Sequence, residues 1–160
     1  GDVLAAYDTW SAYRPETEGV LVAYSSIYGH TAEAAAKLAE ALRAKGVETV
    51  LMDLARCDMA EAVAQAFRFS KLVLATPTYN ADVFPFMKDF INHLTERNYQ
   101  NRTVAFIENG SWAPMAAKVM RKMLENSKAL TFADTTVTVK GAMNDASEAQ
   151  IAALADELSK

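Results

Sequence analysis

The sequence predicts an α/β fold: an open, doubly wound sheet of five parallel strands in the order 2-1-3-4-5, held between two helical layers as an α/β/α sandwich. Two observations carry this. Short runs rich in β-branched residues alternate with longer stretches of helical periodicity, and that β-α unit recurs five times between Gly19 and Leu158. Five units are too few to close an eight-fold barrel, so the sheet stays open.

Each element has a local reason. Gly19-Val-Leu-Val-Ala-Tyr24 is an apolar run of strand length and reads as a strand buried on both faces. His30 to Lys45 is Ala-rich with apolar residues at helical spacing, and Gly46 is a natural stop. Val47 to Met52 makes the second strand. Asp58 is placed to cap a helix over Met59 to Phe69. Lys71 to Thr76 is a third buried strand, which Pro77 is expected to stop. Phe84 to Arg97 is helical, with Pro85 in its first turn. Thr103 to Ile107 forms the fourth strand, Ala113 to Ser127 a helix and Thr135 to Val139 the fifth strand. Ser147 is expected to cap a last helix through Leu158.

Residues 1–18 stand outside this pattern and read as an N-terminal extension or interdomain linker; residues 19–160 read as the α/β domain. Tyr7 and Trp10 are the side chains that would pack the extension on the domain.

Composition narrows the function. The 160 residues carry 16 basic and 20 acidic side chains, a net charge of −4, which disfavours nucleic acid as the main partner. No apolar run approaches the roughly 18 residues of a membrane span. With one cysteine, Cys57, no intrachain disulfide forms, and a reducing, cytoplasmic setting is the simpler expectation. His30 and His93 are the only histidines, so no metal site is expected.

In an open parallel sheet ligands bind at the carboxyl ends of the strands. Three loops lie there. Ser25-Ser-Ile-Tyr-Gly-His-Thr31 brings hydroxyls and a glycine to a helix N-terminus, where unpaired N–H groups and the macrodipole favour an anion such as a phosphate. It is neither a P-loop nor a Gly-x-Gly-x-x-Gly fingerprint, and simple capping by Ser26 or Thr31 is the competing reading. Thr76-Pro-Thr-Tyr-Asn80, continuing to Phe84-Pro85, offers Tyr79 to a planar ring. Glu108-Asn-Gly-Ser-Trp112 offers Trp112 from the next strand over. An anion loop flanked by two aromatic loops makes a sandwich for a flat phosphorylated ligand.

These motifs resemble the flavodoxin-like, FMN-binding domains, most of all the C-terminal flavodoxin domain of flavodiiron proteins (A-type flavoproteins). Tyr24-Ser-Ser-Ile-Tyr-Gly-His-Thr31 is similar to their phosphate loop, and Thr76 to Asn80 and Asn109 to Trp112 to their two ring loops. The resemblance implies noncovalent FMN. Ser25, Ser26, Ile27, Tyr28, Gly29, His30 and Thr31 would hold its phosphate and ribityl end. Pro77, Thr78, Tyr79, Asn80, Asn109, Gly110, Ser111 and Trp112 would hold its ring. No residue is implied as a catalytic acid, base or nucleophile. The resemblance further implies an electron donor of rubredoxin or reductase type and an upstream diiron domain. The ligand run of that diiron domain is absent here, so oxygen or nitric oxide reduction is not expected on this chain alone.

Many relatives have a Gly-rich third loop where this chain has Glu108-Asn-Gly-Ser111. A carboxylate there would either repel the reduced ring and lower its potential or point to solvent. A stand-alone flavodoxin and an NAD(P)H:quinone reductase are the alternatives within the fold. A signalling receiver domain needs an acidic pair and a phospho-accepting Asp where this chain has Ser25-Ser26 and Thr76-Pro77. Met115, Met120 and Met123 read as core, His93 as structural, and Lys118, Arg121 and Lys122 as a solvated basic stretch rather than a docking surface.

Overall fold

A computed structural model describes residues 17–25, 30–79, 82–83, 85–97, 99–100, 102–109, 116–125, 130–139 and 145–159. In chain order the elements are β1 (Thr17–Tyr24), α1 (His30–Ala44), β2 (Glu48–Asp53), α2 (Met59–Arg68), β3 (Phe69–Tyr79), β4 (Asp82–Val83), α3 (Pro85–Glu96), β5 (Thr103–Asn109), α4 (Ala116–Leu124), β6 (Thr131–Phe132), β7 (Val137–Val139) and α5 (Asp145–Leu158). The sheet runs β2-β1-β3-β5-β6, with β7 also on β5. Every pairing but one is parallel; β4 folds back on the end of β3. Because β6 and β7 share the outer side of β5, together they occupy the fifth position, and the order is the expected 2-1-3-4-5.

Strand residues alternate between two apolar layers, as a sheet covered on both faces requires. Val20, Val22, Val73, Ala75, Ala105 and Ile107 face α1 and α5, where Ala34, Ala35 and Ala39 allow close packing around Leu38 and Leu154. Leu21, Ala23, Leu72, Leu74, Val104 and Phe106 face α2, α3 and α4, a bulkier layer holding Met87, Phe90, Leu94 and Met120. Each fully buried Leu or Phe contributes about 1.5–3 kcal/mol by leaving water.

Two glycines are required by geometry. Gly46 has φ +83° and ends α1 in the left-handed region, where other residues are strained. At Gly19 a Cβ would stand 2.6 Å from the Glu48 carbonyl oxygen and 2.9 Å from Phe69, so β1 and β2 approach only without a side chain. Asp58 caps α2 as expected, accepting a 3.2 Å hydrogen bond from the Ala60 N–H.

Among the boundaries that differ from the sequence reading, four have a visible structural reason. β1 begins at Thr17, where Arg68 donates to the Thr17 hydroxyl; residues 1–16, with Tyr7 and Trp10, lie outside the described residues. Pro77 does not end β3, which runs on to Tyr79 with Pro77 opposite Asn109. Ala75 turns its carbonyl to the Ser25 N–H, so by alternation Pro77 faces the same side, where β1 has already ended and no ladder donor is needed. The fifth strand is interrupted between β6 and β7, where Glu157 of α5 accepts from Asp134 N–H and Thr135 N–H; within β7, Gln150 of the same helix accepts from Thr138 N–H. Lastly, α5 starts at Asp145, so Ser147 is buried inside its first turn rather than standing before it.

No helix among the described residues is long and apolar enough to cross a membrane.

Candidate functional site at the carboxyl edge of the sheet

Parallel strands bring every loop that follows a strand to one edge, and here that edge is marked by a change in chemistry. Above Leu74 and Phe106 on the α2–α4 face, the next residues on the same side of their strands are Thr76 and Glu108. Register places Thr76 opposite Glu108, and Glu108 opposite Thr138 of β7. Ser25, just past β1, completes the row: its hydroxyl shares a 2.9 Å hydrogen bond with that of Thr76. Ser25, Thr76 and Glu108 are buried. A polar row thus crosses the end of the sheet.

Around this row stand the N-termini of two helices. Thr31, buried in the first turn of α1, lies beside the end of β1. Helix α4 directs the N–H of Ala117 to Oε1 of Glu108 at 3.1 Å, and the Thr138 hydroxyl donates to Oε2 at 2.9 Å. The open alternative for Glu108 is therefore decided: its carboxylate is buried and turned into the scaffold, not toward solvent. Tyr24, last in β1, has its phenol raised above the usual value, first by burial and then by the neighbouring Asp53 carboxylate.

Of the residues singled out by sequence, Ser25 and Thr31 stand at this edge with buried side chains. His30 opens α1, Pro77, Thr78 and Tyr79 form the end of β3, and Asn109 ends β5 opposite Pro77. Ser26, Ile27, Tyr28, Gly29, Asn80, Gly110, Ser111 and Trp112 lie outside the described residues. Thr138 escaped the sequence reading. The alternation Thr136-Val-Thr-Val139 carried its signal, since it sets Thr138 opposite in direction to the buried Val137 and Val139.

Elsewhere the smaller signals resolve into structure. Met120 is buried and Met123 packs beside it, while Met115 is outside the described residues. His93 lies against Arg97, 3.3 Å from its guanidinium. Arg121 covers the ring of Phe132 at 4.7 Å. Cys57 is half-buried, which raises its thiol above the usual value. No group of three or more potential metal ligands occurs among the described residues.

The Ser25–Thr76 end of the row, which leads into the N-terminus of α1, offers neutral hydroxyls to an anionic ligand without a cationic side chain; at the other end the Glu108 carboxylate occupies the first-turn N–H of α4. Comparison with known proteins shows what the chain as a whole is similar to. The family profile described as Flavodoxin matches residues 22–155. The rubredoxin-oxygen oxidoreductase of Megalodesulfovibrio gigas is 21% identical over 154 residues, 96% of this chain and 38% of that protein. Among solved structures, the flavodiiron protein of Giardia intestinalis has a TM-score of 0.83 at 23% identity, covering 97% of this chain and 39% of its own. A flavodoxin from the domain Archaea has a TM-score of 0.77 at 15% identity, covering 88% of this chain and 96% of its own. The chain spans little more than a third of the curated relatives it matches, 35% and 38% of their lengths.

Proposed function

Because the chain belongs to the flavodoxin family, whose cofactor is FMN, we propose that it is an FMN-binding electron-transfer module of flavodiiron type. The observation that carries this reading is the hydroxyl row at the carboxyl edge, with the N-terminus of α1 beside it. The donor set fits the cofactor: buried neutral hydroxyls and a helix N-terminus accept a phosphate dianion by hydrogen bonds and dipole alone. In this reading residues 25–31 hold the phosphate and ribityl end, and residues 77–80 and 109–112 hold the ring. FMN, when bound, supplies the one- and two-electron chemistry. The chain's own residues bind and orient it. Thr76 fixes Ser25 beneath the phosphate end, and the Pro77–Asn109 pairing sets the spacing of the two ring segments.

Coverage favours the flavodiiron type over a stand-alone carrier. The flavodiiron match takes in 97% of the chain and the archaeal flavodoxin match 88%. On this reading residues 1–18 connect the module, residues 19–160, to a diiron domain that this chain does not contain. The electrons come from a small redox protein of rubredoxin type, as the name of the Megalodesulfovibrio relative suggests.

The test is a titration of the chain with FMN. Stoichiometric binding with quenched flavin fluorescence supports the proposal, and free, fully fluorescent FMN at micromolar protein refutes it. Turnover of NADH with a quinone by the loaded chain would instead favour the reductase reading.

A further inference from the structure

Between α2 and α3 runs an apolar groove of about 380 Å³, open to solvent. That volume lies within the range of small-molecule sites, roughly 300–1,000 Å³. Met59, Val63 and Phe67 follow one another along its floor at helical spacing, and the exposed Ala60 and Ala64 leave room between them. From Met59 to Phe67 the floor is about 12 Å long, at a rise of about 1.5 Å per residue. Its far end is held firmly. The Phe67 ring meets that of Tyr99 edge to face at 5.2 Å, and Arg102 donates to the Phe67 carbonyl.

The wall supplied by α3 has a different chemistry. His93 and Arg97, one turn apart, are the polar side chains of the groove. Nη1 of Arg97 lies 3.3 Å from His93 Nδ1 and 3.3 Å from the His93 carbonyl oxygen. A guanidinium only donates, so Nδ1 accepts and the neutral ring carries its proton on Nε2. The wall thus offers one N–H and one fixed positive charge. No acidic side chain lines the groove, and among the described residues no carboxylate forms an ion pair with Arg97. The negative end of α3 is met by Arg97 itself through the His93 carbonyl, so the wall keeps its positive sign.

Floor and wall together select an apolar body with one anionic head. We propose that the α2–α3 groove binds a medium-chain fatty carboxylate, its chain along Met59, Val63 and Phe67 and its head at His93 and Arg97. An inorganic anion gains nothing from the floor, and a cationic chain gains nothing from the wall. Phe67 lies just before the start of β3, so the charged end of the groove is toward the amino edge of the sheet. The candidate FMN site is at the opposite edge, and binding in the groove does not depend on the FMN reading.

The test is a titration of the chain, followed by amide NMR shifts, with decanoate and with decyltrimethylammonium, a body of the same length and opposite charge. Decanoate should shift amides within residues 59–67 and 93–97. It should saturate with a dissociation constant of about 1 mM or below. The ammonium should bind there at least about fivefold more weakly. Arg97→Gln should weaken decanoate by about fivefold and leave the ammonium no weaker. Ala64→Glu, which sets an acid on the floor, should abolish decanoate binding. Both positions are exposed and both new residues suit a helix, so the variants keep the fold. Decanoate that shifts no amides of α2 and α3, or shifts amides evenly over the whole chain, overturns the proposal. Equal binding of the two probes overturns it too, as does either variant that binds decanoate like wild type.

Discussion

Strand β5 carries a buried charge at each end, and the two are arranged by the same rule for different purposes. Arg102, just before β5, is 2% exposed and donates to the carbonyls of Gln100 and of Phe67 in the last turn of α2. Its guanidinium lies 5.5 Å from the Phe67 ring centroid and 5.3 Å from that of Tyr99, and those rings meet edge to face at 5.2 Å. Glu108, next to last in β5, takes the first-turn N–H of α4. Each charge thus rests on the helix end of opposite sign. The amino-end cation is enclosed by rings and carbonyls inside the scaffold. The carboxyl-end anion stands in line with Thr76 and is bonded by the Thr138 hydroxyl at the end of the sheet. The first ties the sheet to α2, and the second ties β5 to α4 and β7.

If that contrast holds, replacing Arg102 has the largest effect on folding. Arg102→Met should cost about 3 kcal/mol, since it takes the donor from two part-buried carbonyls and removes the ring contacts. That corresponds to a melting temperature lower by roughly 10 °C. FMN affinity measured below the transition should stay within about twofold of wild type, and a large loss there would blur the two ends. Glu108→Ala should cost less stability, about 1–2 kcal/mol by urea unfolding, because the freed N–H and hydroxyl lie near the edge where water can reach them. It should nevertheless lose FMN affinity, the reverse of the Arg102 pattern.

The smallest effect sharpens the comparison. The Tyr99 hydroxyl is buried with no hydrogen-bond partner among the described residues, so Tyr99→Phe should change stability by less than about 0.5 kcal/mol at pH 7. Burial raises this phenol far above its usual 10.0, with the Arg102 charge pulling weakly the other way. A group with a raised folded pKa adds stability that is fully present below its unfolded pKa and is lost as pH climbs toward the folded value. Wild type should therefore lose stability as pH rises above about 10, as the unfolded chain ionises Tyr99 and the folded chain does not. In unfolding curves at pH 9 and 11, Tyr99→Phe should lack that part of the loss.

Much of this architecture was legible because it is local. Gly46 at φ +83° and Asp58 at the head of α2 follow from backbone sterics and one side-chain acceptor. The alternation of Leu72, Val73 and Leu74 between the two apolar layers follows from strand period. What escaped depended on partners far along the chain. Pro77 continues a strand because β1 stops short of it, and no reading of residues around Pro77 contains that fact. The fifth strand is divided where Glu157, a side chain from the helix that follows it, takes two amides. At the site, the hydroxyls at Ser25 and Thr31 stood out by their position before a helix. The direction of Glu108 did not, because Ala117 and Thr138 meet it only through the sheet register and the docking of α4.

The amides that Glu157 and Gln150 occupy belong to the outermost strand position of the sheet. A border strand with free amides is a template on which another chain can extend the sheet. Here the domain's last helix keeps those donors engaged from within. Asp134 and Thr138 thereby have their amides taken within the chain, where a strand from another chain would need them.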